Sequence, residues 1–588
     1  MKKFLKKFNQ ISKLVFKSSP KLIILNLISI FLSGIVSVFM IQVTSHFFDT
    51  INSNKSASFI FSSFLFFMLT YLFKELLIWI IDFTDYKIDK KIYNFANEII
   101  HKKISNISRI KYEDPNFVEK IELANTGVFS IGYYFFNIYG LILQDVPYLI
   151  MLGFTLFKFR PLLIITPIII FIPILITQLI NLSTKKKLKK DLIYYKKKLT
   201  NYSNILTATN YIKETRLLGT YSFFMNKFKD MLKNVNNKTW TSEKQIQLKN
   251  LISKTINLLG YCAVIYILFR SLIDNYITIG EFAAVFASIR TVYSMVNKVV
   301  VNRIGGILTY DYTDLKYFID LLNEEEEEFG IKLNNSFEQI ELNNVSFKYP
   351  NRKDFALKNI NLILKKGETI AIVGKNGSGK TTLSKILLGL FDLVDGYILY
   401  NGFNKNCYSK NEFYKDKSAV FQNFYKYLYI LKDNIKISNI SENDIDDKQL
   451  KLSCENAELD FENESVFPNR FDTMLSKQFG GVDLSGGEWQ KIAFARSFYK
   501  DYNFIVLDEP TSAIDPIEEA NIYDKFARIV KDKTALIITH RLGAVKLADK
   551  IIVLDDGKII ENGTHNELIE KKGVYYNMFM KQKEWYDI

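Results

Sequence analysis

GETIAIVGKNGSGKTTLSKILLGL, residues 367 to 390, reads as a buried strand, a glycine-rich loop and a helix in immediate succession. This is the setting that a Walker A phosphate-binding loop requires. Gly374, Gly377 and Gly379 let the backbone curl its N–H groups around phosphate oxygens, Lys380 reaches the terminal oxygens, and Thr381 presents a hydroxyl to Mg2+. Lys375, Asn376, Ser378 and Thr382 complete the cradle. Further along, FIVLDEPTS (504 to 512) reads as an apolar strand ending in two carboxylates. Asp508 suits the Mg2+ shell, and Glu509 can orient or activate a water. Between the two lies VDLSGGEWQ (482 to 490), where Ser485, Gly486 and Gly487 precede a helix-forming run. Free N–H groups, a small hydroxyl and no Cβ to block approach make a second anion-binding helix N-terminus. The chain thus carries two phosphate-binding elements, and the second needs a phosphate to hold.

Working outward from this soluble half, a chain of 588 residues exceeds the size at which one core stops growing, so at least two domains are expected. The first half holds long runs of Ile, Leu and Phe, read as six membrane spans at about 21 to 47, 58 to 82, 128 to 157, 161 to 182, 250 to 273 and 278 to 308. The connections near 50, 159 and 275 are short. Those at 83 to 127 and 183 to 249 are long, helix-forming and rich in Lys, which places them, and both termini, on the cytoplasmic side. The same placement explains the formal charge of +15: the cations lie between apolar spans, not along a groove with exposed aromatics, so nucleic acid is excluded as a partner. Cys262, Cys407 and Cys454 have no metal-ligand spacing and form no disulfide framework.

Residues 1 to 19 place Phe4, Phe8, Ile11 and Val15 at helical spacing among lysines, which predicts an amphipathic helix on the cytoplasmic surface of the bilayer. EDPNFVEKIELA (113 to 124) and ETRLLGTYSFFMNKF (214 to 228) interrupt the long loops with short amphipathic segments suited to docking on a soluble domain. Lys74, Glu75, Asp145 beside Gln144, and Arg290 fall inside predicted spans, where a charge needs water or a partner. Pro161, Pro167 and Pro173 loosen the fourth span. NEEEEEF (323 to 329) reads as a solvated charge run. The expected division is a transmembrane domain at 1 to 322, an acidic linker at 323 to 335 and a nucleotide-binding domain at 336 to 588.

With these motifs in hand, the chain resembles the ATP-binding cassette family over essentially its full length. LSGGE is that family's signature sequence, and SAID (512 to 515), ending in Asp515, resembles its D-loop, with Ile514 where Leu is commoner. The resemblance implies that Tyr349 in FKYP stacks on adenine, that Gln422 in AVFQNF senses Mg2+ and water, and that His540 in IITHR contacts the γ-phosphate of ATP. Cassettes of the family pair head to tail, so the Ser485 helix would cap ATP held by the partner's Lys380 loop. This implies a dimer with a second half-transporter, identical if a homodimer. Six spans followed by one cassette resemble exporter half-transporters: an α-helical six-span domain plus an α/β P-loop domain, the two loop segments acting as coupling helices. A narrower resemblance, carried by AVFQNFYKYLYILKDNI, LSGGEWQKIAFAR and ETRLLG, is to bacterial exporters of lantibiotics and other ribosomal peptides. The chain starts at its surface helix without the peptidase domain of some peptide exporters, so leader removal is expected elsewhere. Export of a lipid, glycan or drug, import through the same fold, or a nontransporting membrane ATPase would keep the same cassette motifs.

Overall fold

The computed structural model describes residues 2–52, 56–305, 312–330, 337–440, 447–509, 516–531, 533–539 and 545–586. The chain forms two compact units. One comprises Met1–Ser105 and Glu119–Glu324, the other Asn106–Val118 and Glu325–Ile588.

The second unit is built on two sheets. Strands β1 (Gln339–Phe347), β2 (Leu357–Lys365) and β4 (Asp395–Tyr400) form an antiparallel sheet with β1 in the middle. The larger sheet runs in the order β5 (Lys417–Val420), β6 (Phe504–Asp508), β7 (Thr534–Ile538), β3 (Thr369–Val373), β8 (Lys550–Asp555) and β9 (Lys558–Gly563). Its first five strands are parallel, and β9 is added antiparallel at the edge. Strands β3, β6 and β7 are buried at every residue, which is why TIAIV, FIVLD and TALII show no polar alternation. Register levels their ends: Asp508 pairs with Ile538, and Ile538 with Ile372. The glycine-rich loop leaving β3 and the carboxylates ending β6 therefore emerge on one edge, the edge where parallel α/β sheets bind ligands.

The first unit is helical. Among the described residues, five of its helices are long and apolar enough to cross a membrane: Pro20–Asn52, Ala57–Asn106, Ser130–Phe159, Tyr221–Ile273 and Ile279–Ile304. Each overlaps one of the expected spans. The remaining expectation, 161 to 182, falls on the tight turn Pro161–Ile164 and the helix Ile165–Thr207. Pro173 sits inside that helix, and its carbonyl accepts from Thr177 Oγ1 at 2.8 Å and from Ser253 Oγ of the neighbouring helix at 3.3 Å. The side chain of Pro167 lies outside the described residues. At the other end of the unit, Asp49 caps the helix beginning at Ile279: its carboxylate accepts from the Gly280 N–H at 2.9 Å and from Thr278 Oγ1 at 3.1 Å. Thr278 and Glu281 add a reciprocal capping box.

Two expectations change. The N-terminal helix, Lys2–Ser18, packs on protein: Ile11 and Val15 are buried, Phe8 contacts Tyr139, and Phe16 contacts Phe135 and Tyr139. An apolar stripe fits a protein groove as well as a lipid surface; the side chain of Phe4 lies outside the described residues. The glutamate run is not uniformly solvated. Glu324 pairs with Lys120, Glu326 accepts from Asn106 Nδ2 at 3.1 Å, and Glu327 pairs with Lys405, both of these last side chains being about nine-tenths buried. A buried ammonium demands compensation, and Lys405 obtains it from Glu327, Asp392 and the Gly389 carbonyl. Of the intramembrane charges, Glu75 and Arg290 are exposed and Lys74 is half-buried, whereas Asp145 is fully buried.

Candidate nucleotide site

The loop after β3 has the backbone its glycines were expected to supply. Gly374, Gly377 and Gly379 take φ of 152°, 80° and 105°. At Gly374 a Cβ would stand 2.1 Å from the Leu554 carbonyl oxygen, while at Gly377 it would meet nothing, so the loop's open face is unobstructed. Gly379 caps the helix Lys380–Leu387. Lys375, Asn376 and Gly377 are exposed, and Ser378 and Thr382 are buried. Lys380 is buried too, and its ammonium donates to the carbonyls of Gly374 and Lys375, 3.0 Å each. Burial pushes its pKa below that of an ordinary lysine, partly offset by Glu509 and Asp508. The Ser378 hydroxyl is buried without a partner among the described residues. An ammonium hydrogen-bonded to carbonyls, an orphan hydroxyl and a floor of glycine fit a polyphosphate.

Beside the loop, Thr381 Oγ1 donates to Asp508 Oδ1 at 3.1 Å. Asp508 is almost fully buried, and burial raises its pKa against the opposing Thr381 hydrogen bond. Gln422 Nε2 donates to Glu509 Oε2 at 2.8 Å. Glu509 holds a left-handed backbone, φ 45°, secured by its N–H to the Ile538 carbonyl at 2.9 Å. That turn takes its carboxylate out of the strand's alternation and toward Gln422. Thr381, Gln422 and Asp508 line one cleft of about 240 Å³, so they could hold a divalent cation that phosphate oxygens also bind. Tyr349 sets its hydroxyl 3.0 Å from Thr382 Oγ1 and its ring edge-on to Phe347 and Phe391, at the side of the P-loop helix.

The second element expected to bind phosphate stands apart. Ser485 caps the helix Gly486–Tyr499 by accepting the Glu488 N–H at 3.2 Å, which leaves its hydroxyl proton free to donate outward. Ser485 and Gly486 are exposed, with Gly487 partly covered. The helix is rooted through Trp489, Ile492, Phe494 and Phe498 in one hydrophobic core, the P-loop helix through Leu383, Ile386 and Leu387 in another. Among the described residues, no hydrogen bond joins Ser485 to the loop of Lys380. Asp515 and His540 lie outside the described residues.

The cleft also contains residues that motif reading passed over. Arg109 and Glu113, from the loop segment that packs with this unit, line it together with Lys385. Ser108 Oγ donates to Asp392 Oδ2 at 2.7 Å, Asn351 Nδ2 to Asp114 Oδ1 at 2.9 Å, and Lys385 faces Glu113 at 3.8 Å. The only sequence signal was the amphipathic break at EDPNF. Arg496 was missed as well; it donates to the Asn434 carbonyl at 2.9 Å and fixes the segment that follows Gln422.

Comparison with known proteins agrees with this geometry. The family model described as ABC transporter matches residues 357–512. The subtilin transport ATP-binding protein of Bacillus subtilis is 31% identical over 542 residues, covering 90% of this chain and 86% of that protein. The nisin transport ATP-binding protein of Lactococcus lactis is 32% identical over 64% of each chain, and the ATP-dependent lipid A-core flippase of Shigella sonnei 31% over 58% of each. In fold, the chain is similar to the structure of a bacterial Atm1-family ABC exporter with ATP bound, at a TM-score of 0.81 and 18% identity, covering 96% of this chain and 99% of that one. Matched through both its membrane helices and its P-loop sheet, the chain belongs to the ABC transporter family, as an exporter half-transporter whose cassette couples ATP hydrolysis to transport.

Proposed function

We propose that the chain exports a peptide of the lantibiotic or bacteriocin class across the cytoplasmic membrane, working as a homodimer. The observation that carries this reading is the match to the subtilin transport protein, which extends well beyond the cassette into the membrane helices. The Lys-rich loops argue for a cassette and both termini on the cytoplasmic side. In the cassette, Lys380 and the Gly374–Gly379 loop hold the phosphates, and Tyr349 packs on adenine. Thr381, Asp508 and Gln422 hold Mg2+, which when bound neutralises charge building on the phosphate oxygens. Glu509, steadied by Gln422, orients the attacking water and accepts its proton. His540 and Asp515 complete the site, and Ser485, Gly486 and Gly487 close it from the second copy. The segment from Ser108 to Asp114 touches the P-loop helix and the residues after it.

The test is transport by purified protein in sealed liposomes, with Glu509→Gln as control. A cationic ribosomal peptide carrying its leader should raise Mg-ATP hydrolysis and accumulate inside inverted vesicles, and the control should bind ATP without accumulating it. Stimulation by lipid A-core or a hydrophobic drug, with none by peptides, would replace the peptide reading with that of a flippase or drug exporter. Hydrolysis without movement of any of them would reduce the protein to a membrane ATPase.

A further inference from the structure

Within the membrane unit lies a buried ion pair that nucleotide chemistry does not use. Arg303 Nε donates to Asp145 Oδ2 at 3.1 Å; the Asp145 side chain is fully buried and that of Arg303 nearly so. Arg303 Nη1 also donates to the Phe136 carbonyl at 2.7 Å. Space for the guanidinium exists because residue 140 is glycine: a Cβ there would stand 2.3 Å from Arg303 Cζ. One turn away, Lys298 Nζ donates to Gln144 Oε1 at 2.9 Å, and Gln144 Nε2 to Ser33 Oγ at 2.8 Å. The polar cluster thus stitches together Pro20–Asn52, Ser130–Phe159 and Ile279–Ile304.

The pair coincides with a second irregularity. Both of its residues sit on π-wound turns, Leu141–Asp145 and Lys298–Ile304, inserted in otherwise α-helical spans. A π turn holds an extra residue, so winding back to α shifts the remainder of the helix by one residue, about 100° around the axis. Such a rotation of either span carries its charged side chain out of the pair. Neither charge is stable alone in an apolar interior, so the intermediate arrangement is disfavoured, and two discrete ones remain: paired on π turns, or unpaired with each charge delivered to water or to another partner. Asp145 already presents a second oxygen, Oδ1, that has no hydrogen-bond partner among the described residues.

We propose that Asp145 and Arg303 are positioning residues of the transport cycle: their ion pair, clasped between two π turns, holds one access state of the membrane unit and is released in the other as the turns rewind. The proposal rests on the exporter reading. It is tested on the full-length protein in liposomes, after Mg-ATP hydrolysis and vanadate trapping have been verified; failure at that stage would count against the exporter reading itself. Amide exchange is then compared between nucleotide-free and vanadate-trapped protein for peptides covering 141–145 and 298–304. A state-dependent change of about twofold or more in exchange rate at both turns is expected. Equal exchange in the two states would overturn the proposal, since a merely structural pair stays wound throughout. Neutralising both partners, Asp145→Asn with Arg303→Gln, leaves neither member of the pair as an uncompensated charge, keeps the Lys298–Gln144 hydrogen bond, and should keep the fold while abolishing the state dependence. Persistence of the full wild-type difference in that variant would show that the pair is not what holds the state.

Discussion

Lys380 carries its charge in a buried place, held by two carbonyls of its own loop, and this decides what its removal does. Lys380→Ala is expected to lower Mg-ATP hydrolysis at least about 100-fold, the scale for losing one preorganised charge at a transferring phosphoryl group, as read by phosphate release. Gly374→Ala fails for a different reason. Its φ of 152° and the Leu554 carbonyl 2.1 Å from a new Cβ should destabilise the loop by about 1–3 kcal/mol or more, seen as a lower Tm and weakened ATP binding. Lys417 supplies the pH-dependent case. Burial, with Lys500 and Lys405 nearby and Asp416 opposing, lowers its pKa from the ordinary lysine value to about 7. Between about 7 and 10.5 the unfolded chain binds the proton that the folded one has released, so stability rises with pH across that window. Below about 7 the cost of the buried charge is felt in full. Lys417→Met should therefore raise Tm relative to wild type more at pH 6 than at pH 9, by calorimetry at both; an equal difference at the two pH values would contradict it. At this scale the P-loop was legible because glycine spacing is a backbone demand. Lys417 was not, because nothing in KDKSAVF tells a buried lysine from an exposed one.

Among the elements, the helix Gly486–Tyr499 offers an exposed N-terminus rooted in a core other than that of the P-loop helix. Gly486→Asp should leave ATP binding nearly intact while sharply reducing hydrolysis, because a carboxylate at a helix N-terminus repels a phosphate that arrives from outside. Mixing it with Lys380→Ala concentrates both defects in one of the two sites, so partial ATPase recovery on mixing is expected. Loss of ATP binding by Gly486→Asp in a monomeric cassette would show the helix serving its own chain. The segment Asn106–Val118 and the glutamate run show where sequence reading stopped short. The run reads as solvated and the segment as a docking element, yet neither reading shows that Glu327 and Asp392 surround one buried lysine, or that Ser108 reaches the same Asp392. Which of several like charges finds a buried cation is settled by tertiary packing, which linear spacing does not encode. Lys405→Met should spare ATP binding and weaken the stimulation of hydrolysis by cargo, measured as the ratio of stimulated to basal rate.

For the whole molecule, a half-transporter cassette with an exposed signature-helix N-terminus asks for a second cassette, and a homodimer is the proposal to test. The detergent-solubilised protein should have a mass near twice 68.5 kDa in the presence of ATP, by light scattering corrected for detergent. A monomer that becomes active only with a different half-transporter would replace the homodimer. The helical architecture was legible because apolar runs of bilayer length have few other uses. The π turns were not, since nothing in LILQD or KVVVNRI departs from ordinary α-helical composition. The cap that Asp49 places on the helix starting at Ile279 carries a further consequence, one of timing. Its donor, the Gly280 N–H, lies 231 residues downstream. At a ribosomal pace of about 5–20 residues per second, the carboxylate waits roughly 12 to 46 s before that amide is even synthesised. During biogenesis the first span must therefore be inserted and retained with this end unfinished, and the bundle is fastened last by a bond between its earliest and latest spans.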